Sequence, residues 1–180
     1  MKLWVMLLLA GVMADSLADV SNVYGPATRN NSMSDEDEKP WQELEVEPST
    51  FPRQENLVEF YVSAVATNKY LIDASTLAVG NDEVVRYVLV VKASGGATNV
   101  SFEGMRCKDF TWKHYATGGN DGKWTKSRAA RNDWRPIEKK SVNGYHAALS
   151  RNLFCPVGNA IRSADEGRNA LRLGKHPDAN

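Results

Sequence analysis

Past Ala14 the chain has no apolar run long enough to cross a bilayer, whose hydrocarbon core of about 30 Å asks for about 20 apolar residues in a helix. Catalytic signatures are missing as well. There is no Gly-x-Ser-x-Gly elbow, no His-Glu-x-x-His, no phosphate-binding loop and no Gly-x-Gly-x-x-Gly behind a strand pattern. No internal repeat is visible. Histidine is confined to His114, His146 and His176, and cysteine to Cys107 and Cys155. The cysteines have no histidine beside them at ligand spacing, which argues against zinc, and no metal or cofactor is expected.

What is there begins with a leader. Lys2 precedes twelve apolar or small residues, Leu3 to Ala14, too few for a stable span. Val12-Met13-Ala14 and Ser16-Leu17-Ala18 both offer the small-x-Ala pattern of signal peptidase, so residues 1–18 read as a signal peptide cut after Ala18 or Ala14. No cysteine stands at the cleavage site to carry a lipid, so lipid anchoring is not expected and the periplasm is the expected compartment. There an exported cysteine pair normally bridges, and closing a loop of this length contributes about 4 kcal/mol. A catalytic thiol is the rival reading for the pair.

Net charge is zero but lopsided. From Asp15 to Thr50 nine acids face two bases, giving −7, whereas from Phe51 onward 13 acids face 19 bases, giving +6. With few large apolar residues, the acidic segment cannot offset its ordering entropy, so residues 19–40 read as a disordered linker, with a solvated tail favoured over an arm folded on the basic body. One domain over residues 41–175 follows, then a disordered tail at 176–180.

Within that domain Val58, Phe60 and Val62 alternate with polar positions as a half-buried strand, and Tyr70-Leu71-Ile72-Asp73 forms a short second one. Val84 to Val91 is β-branched and nearly continuous, which predicts a central strand covered on both faces. Val100 and Phe102 share a face. Gly104 breaks the alternation and Met105 falls out of phase, predicting a β-bulge just before Cys107. Phe110 and Trp112 open a fourth strand that ends at the Gly118 to Gly122 turn.

The period then changes. Asn143 can cap a helix carrying Tyr145, Ala148, Leu149 and Leu153 on one face until Pro156 stops it. Ser163-x-x-Glu166 opens a second helix that Gly174 closes. Strands followed by helices imply an α+β domain: an antiparallel meander with two C-terminal helices packed on one face and one disulfide.

Candidate site residues are few. Between Met105 and Lys140 ten bases are interleaved with Trp112, Tyr115, Trp124 and Trp134, a composition suited to an anionic glycan or lipid headgroup. The bland alternative is core tryptophans beside a solvated charged face. Arg86, on the strand next to Glu103, is expected to pair with it across the ladder, and the bulge to hold Glu103 and Arg106 in place. The binding candidates are therefore Arg86, Glu103, Arg106, Tyr115, Trp124 and His146.

The stretch from Phe60 to Leu173 resembles the cryptic neisserial protein-like (CNP-like) family of small exported Gram-negative proteins. The matching pieces are Ile72-Asp73-x-Ser75-x-Leu77-x-Val79-Gly80, Val84-Val85-Arg86-Tyr87-x-Leu89-Val90, and Gly96-Ala97-x-Asn99-Val100-Ser101-Phe102-Glu103-Gly104-Met105-Arg106-Cys107. Tyr115-Ala116-x-Gly118-x-x-Asp121-Gly122-x-Trp124, His146-Ala147-Ala148-Leu149 and Phe154-Cys155 complete the order. The resemblance implies a periplasmic or lipid-anchored envelope protein, supports the domain boundary and the disulfide, and carries over no catalytic residue. The expected function is non-enzymatic binding of an envelope protein, glycan or lipid component, with no nucleic acid and no integral membrane segment after cleavage. The alternative is an envelope hydrolase or transferase using His146 or His114 with Glu103. A structural stabiliser of an outer-membrane complex is a third possibility.

Overall fold

The computed structural model describes residues 40–128, 133–138 and 144–179. The signal peptide, the linker up to Lys39 and the Asn143 cap lie outside the described residues.

Seven strands form one antiparallel sheet: β1 (Leu57–Glu59), β2 (Lys69–Val79), β3 (Val84–Lys92), β4 (Thr98–Arg106), β5 (Thr111–Gly118), β6 (Trp124–Lys126) and β7 (Arg135–Pro136). β1 to β6 follow one another in chain order, as a meander requires, and β7 shares the outer edge of β5 with β6. Helix α1 (Tyr145–Leu149) runs on as a π-helical turn, Ser150–Phe154. Helix α2 (Ala164–Leu173) starts where the Ser163 hydroxyl accepts the Glu166 N–H and ends at Gly174, whose φ of 76° is open to glycine without a Cβ penalty. The α+β architecture and the Cys107–Cys155 disulfide are as expected. Gly144, with no side-chain bond, precedes α1.

The sheet is buried on both faces. Ile72, Tyr87, Leu89 and Met105 meet Leu149, Leu153, Phe154 and Leu171 from the helices in the main core. On the reverse face Val88, Phe102 and Ala116 pack with Val46 and Trp124. This second core explains Met105, which is not out of phase: it belongs to the helix face, whereas Phe102 belongs to the other. β3 and β4 pair without interruption from Val84↔Arg106 to Lys92↔Thr98. The expected bulge at Gly104 is therefore absent. The extra residue is Tyr115 on β5, between the pairs Phe102↔Ala116 and Glu103↔His114.

Four more differences are local. β1 ends at Glu59, before Phe60 and Val62. The segment expected as separate pieces after Tyr70 is one strand, β2, interrupted where the register jumps between Asp73 and Ala78. There the Asp73 carboxylate accepts from the Ser75 N–H and hydroxyl, while Thr76 Oγ1 accepts the Val88 N–H. Phe110 lies in the turn before β5, at φ 54°, not in the strand. His176, expected in a disordered tail at 176–180, is buried on the domain, its N–H bonded to Asn152 O and its ring to Glu166.

Gly104 is a position of close approach. A Cβ there would lie 2.7 Å from the Tyr115 ring and 3.0 Å from Val84 Cγ1. Gly104→Ala is expected to cost about 1–3 kcal/mol through overpacking. A urea midpoint equal to wild type would show that the ring swings aside freely.

Candidate functional site

The sheet separates the candidate residues into two groups. In the β3–β4 register Tyr87 stands across from Glu103, but Arg86 stands across from Gly104. Alternation then directs Glu103 to the helix face and Arg86 and Arg106 to the other. The expected Glu103–Arg86 pair does not form. Arg86 pairs instead with Asp82, Nη1–Oδ1 at 2.9 Å and Nη2–Oδ2 at 2.5 Å, both side chains buried. Burial alone would push the Asp82 carboxyl up, but the Arg86 hydrogen bonds and the Leu44 N–H hold it below the usual carboxylate value.

On the helix face Glu103 accepts from the Ser101 hydroxyl at 2.7 Å and the Tyr87 hydroxyl at 3.3 Å, and its Oε2 lies 2.9 Å from His146 Nε2. His146 stacks on Trp112 with ring centroids 3.7 Å apart and touches Tyr145 at 4.1 Å. Burial first, and the Glu103 charge second, raise both the Tyr87 and Tyr145 phenols well above their ordinary value. Tyr87 therefore keeps its proton and donates a hydrogen bond to Glu103. His114 takes no part: its Nε2 lies 3.1 Å from Thr117 Oγ1 near the surface.

On the reverse face residues 41–51 lie as a strap across the sheet. Glu43 accepts from Lys113 Nζ at 2.7 Å, the Tyr115 hydroxyl at 2.8 Å and Trp134 Nε1 at 3.4 Å. Trp41 Nε1 donates to Asp82 O at 2.9 Å, and the Arg106 guanidinium sits 3.8 Å from the centre of a Trp41 ring while ion-pairing with Asp109. Trp124 Nε1 donates to Ser49 O, and Lys126 pairs with Glu47. The domain is ordered from Trp41, where it is expected to start, and the acids at its beginning do not form a solvated tail: Glu43 and Glu47 lie on the basic, aromatic β5–β6 surface. Burial raises the Tyr115 phenol further, with Glu43 opposing the nearby Arg86.

The strap and the β5–β6 edge border an open groove of about 750 Å³, lined among others by Glu45, Glu47, His114 and Lys126. A cavity of about 270 Å³ lies beside the disulfide. Neither is lined by Glu103 or His146. No cluster of three or more His, Cys, Asp or Glu among the described residues can hold a metal, and no described helix is long and apolar enough to cross a membrane. Sequence reasoning missed Asp82, Trp41 and Glu43. A signal for the strap did exist, since Glu43, Glu45 and Glu47 alternate with Leu44 and Val46 at the period of extended chain. Glu43→Ala is expected to loosen the strap, so that protease cuts within residues 42–48 faster than in wild type. Unchanged cleavage would mean that Trp41 and Ser49 hold it unaided.

A two-faced antiparallel meander, stapled by a disulfide and strapped by its own acidic segment, defines a small disulfide-bonded α+β domain. The chain belongs to the CNP1-like family, whose profile matches residues 36–172. No curated protein and no solved structure matches it.

Proposed function

We propose that the protein is exported to the periplasm and binds a component of the cell envelope without transforming it. The leader and the cystine support export. The observation that carries binding is the open, polar groove between strap and β5–β6 edge, lined by the ion pairs Glu43–Lys113 and Glu47–Lys126, the second of them exposed. Such a surface suits a polar, charged polymer such as a glycan or a peptide better than a buried reaction centre.

A second reading has one observation in its favour, the 2.9 Å contact between His146 and Glu103, the pairing a hydrolase or transferase would use. Against it, the carboxylate already accepts from Tyr87 and Ser101, and the pair lines neither cavity. A photo-cross-linker at exposed Lys126 tests the binding reading. It should trap an envelope component that excess unlabelled protein competes away. Equal capture by the same probe at Arg172 on α2, away from the groove lining, would overturn it.

A further inference from the structure

Both half-cystines are followed at once by a tight turn. Phe110 N–H bonds back to Cys107 O, and Gly158 N–H to Cys155 O. Each turn holds a large apolar residue in the left-handed region, Phe110 at φ 54° and Val157 at φ 47°. That region is disfavoured for any side chain and most of all for a β-branched one, and such strain persists only where the surroundings impose it. Both residues are also among the exposed large hydrophobics, Val157 at 69 %. The disulfide draws the two turns together, and Phe110 and Val157 become lining residues of the same 270 Å³ cavity.

The remaining lining says what the cavity can hold. Ala147 and Cys155 add to an apolar wall. Ser150 has a buried hydroxyl with no hydrogen-bond partner among the described residues, an unusual state for a buried polar atom. Arg151, next in the chain, is exposed and is the one charged residue in the lining among the described residues. An apolar wall beside a guanidinium complements an apolar group that ends in an anion.

We propose that this disulfide-stapled pocket binds an apolar group of up to about ten non-hydrogen atoms that ends in a carboxylate, the apolar part between Phe110 and Val157 and the carboxylate on Arg151. That chemistry is shared by free acids and by the C-terminal residue of a polypeptide. The test is titration of the mature, oxidised protein, followed by amide chemical shifts, with 3-phenylpropionate, octanoate, a hexapeptide ending in free Phe, and the amide form of each. At least one carboxylate should saturate at millimolar or lower concentration, moving the Ala147 and Gly158 amides. Its amide should bind about tenfold more weakly, and Arg151→Gln, a surface change, should erase that difference. A peptide that binds tenfold tighter than the free acids assigns the pocket to chain ends, and parity assigns it to small acids. Absence of saturation with every carboxylate, or equal binding of acid and amide to wild type, overturns the proposal.

Discussion

Arg86→Met is expected to destabilise the domain by about 3–5 kcal/mol, because it leaves the Asp82 carboxylate buried without its cation. Among the described residues Asp82 would retain the Leu44 N–H at 2.9 Å and the long Val84 N–H at 3.4 Å. For a domain of this size the loss should appear as a fall in Tm of roughly 10 °C or more. Asp82→Asn should cost a similar amount, orphaning the guanidinium, and the double variant should recover part of it because no charge is then stranded. The Asp82 carboxyl is held below its ordinary value in the fold. Its contribution is therefore complete above the unfolded carboxylate pKa of about 3.9 and is lost as pH falls through the lower folded value. The gap between wild type and Arg86→Met should be widest near neutral pH and should shrink in acid. Equal melting of wild type and both single variants at pH 7 would show that the pair is solvated in solution.

The same variants separate Asp82 from Glu103 as the partner of Arg86. Arg86→Met and Asp82→Asn should be strongly non-additive. Arg86→Met and Glu103→Gln should add to within about 0.5 kcal/mol, since the two side chains leave the sheet on opposite faces and share no partner.

Why the sequence suggests the wrong partner is a question of phase. The continuous apolar run of β3 announces burial on both faces, and for that reason it cannot say which face any one residue takes. Arg86 and Glu103 are indeed on neighbouring strands, yet a register one residue away exchanges Glu103 for Gly104 opposite Arg86. Gly104 looks like a bulge in sequence because it interrupts apolar alternation. In the structure it is the gap that admits the Tyr115 ring. Local signals fared better. The turns after Lys92 and Gly118, the Ser163 and Gly174 ends of α2 and the cystine all rest on short-range chemistry that a window of a few residues carries. The π-helical turn after α1 was not legible, since the spacing of Ala148, Leu149 and Leu153 fits an ordinary helix equally well. The strap was hidden by composition: its partners, Lys113, Tyr115 and Trp134, lie 70 or more residues away.

Glu103 is the residue whose replacement distinguishes a structural network from a catalytic one. Its carboxylate takes the Ser101 and Tyr87 hydroxyls and contacts His146; Glu103 and Tyr87 are buried, Ser101 and His146 half-buried. Glu103→Ala removes the shared acceptor and opens a void beside Tyr87, so a loss of about 3–5 kcal/mol is expected. Glu103→Gln keeps the shape but turns one acceptor into a donor facing a hydroxyl or the imidazole, and about 1–3 kcal/mol is expected. Tyr87→Phe, which removes one donor and leaves the carboxylate its other contacts, should cost least, about 1 kcal/mol. Urea denaturation of the mature oxidised protein gives all three. That order is what a satisfied buried network produces, because each variant in it strands fewer polar groups than the one before. A catalytic carboxylate behaves in the opposite way, since active sites hold strained charge whose removal leaves stability unchanged or raises it. Glu103→Gln with a midpoint at or above wild type would therefore sink the structural reading and return His146 and Glu103 to consideration as an acid–base pair.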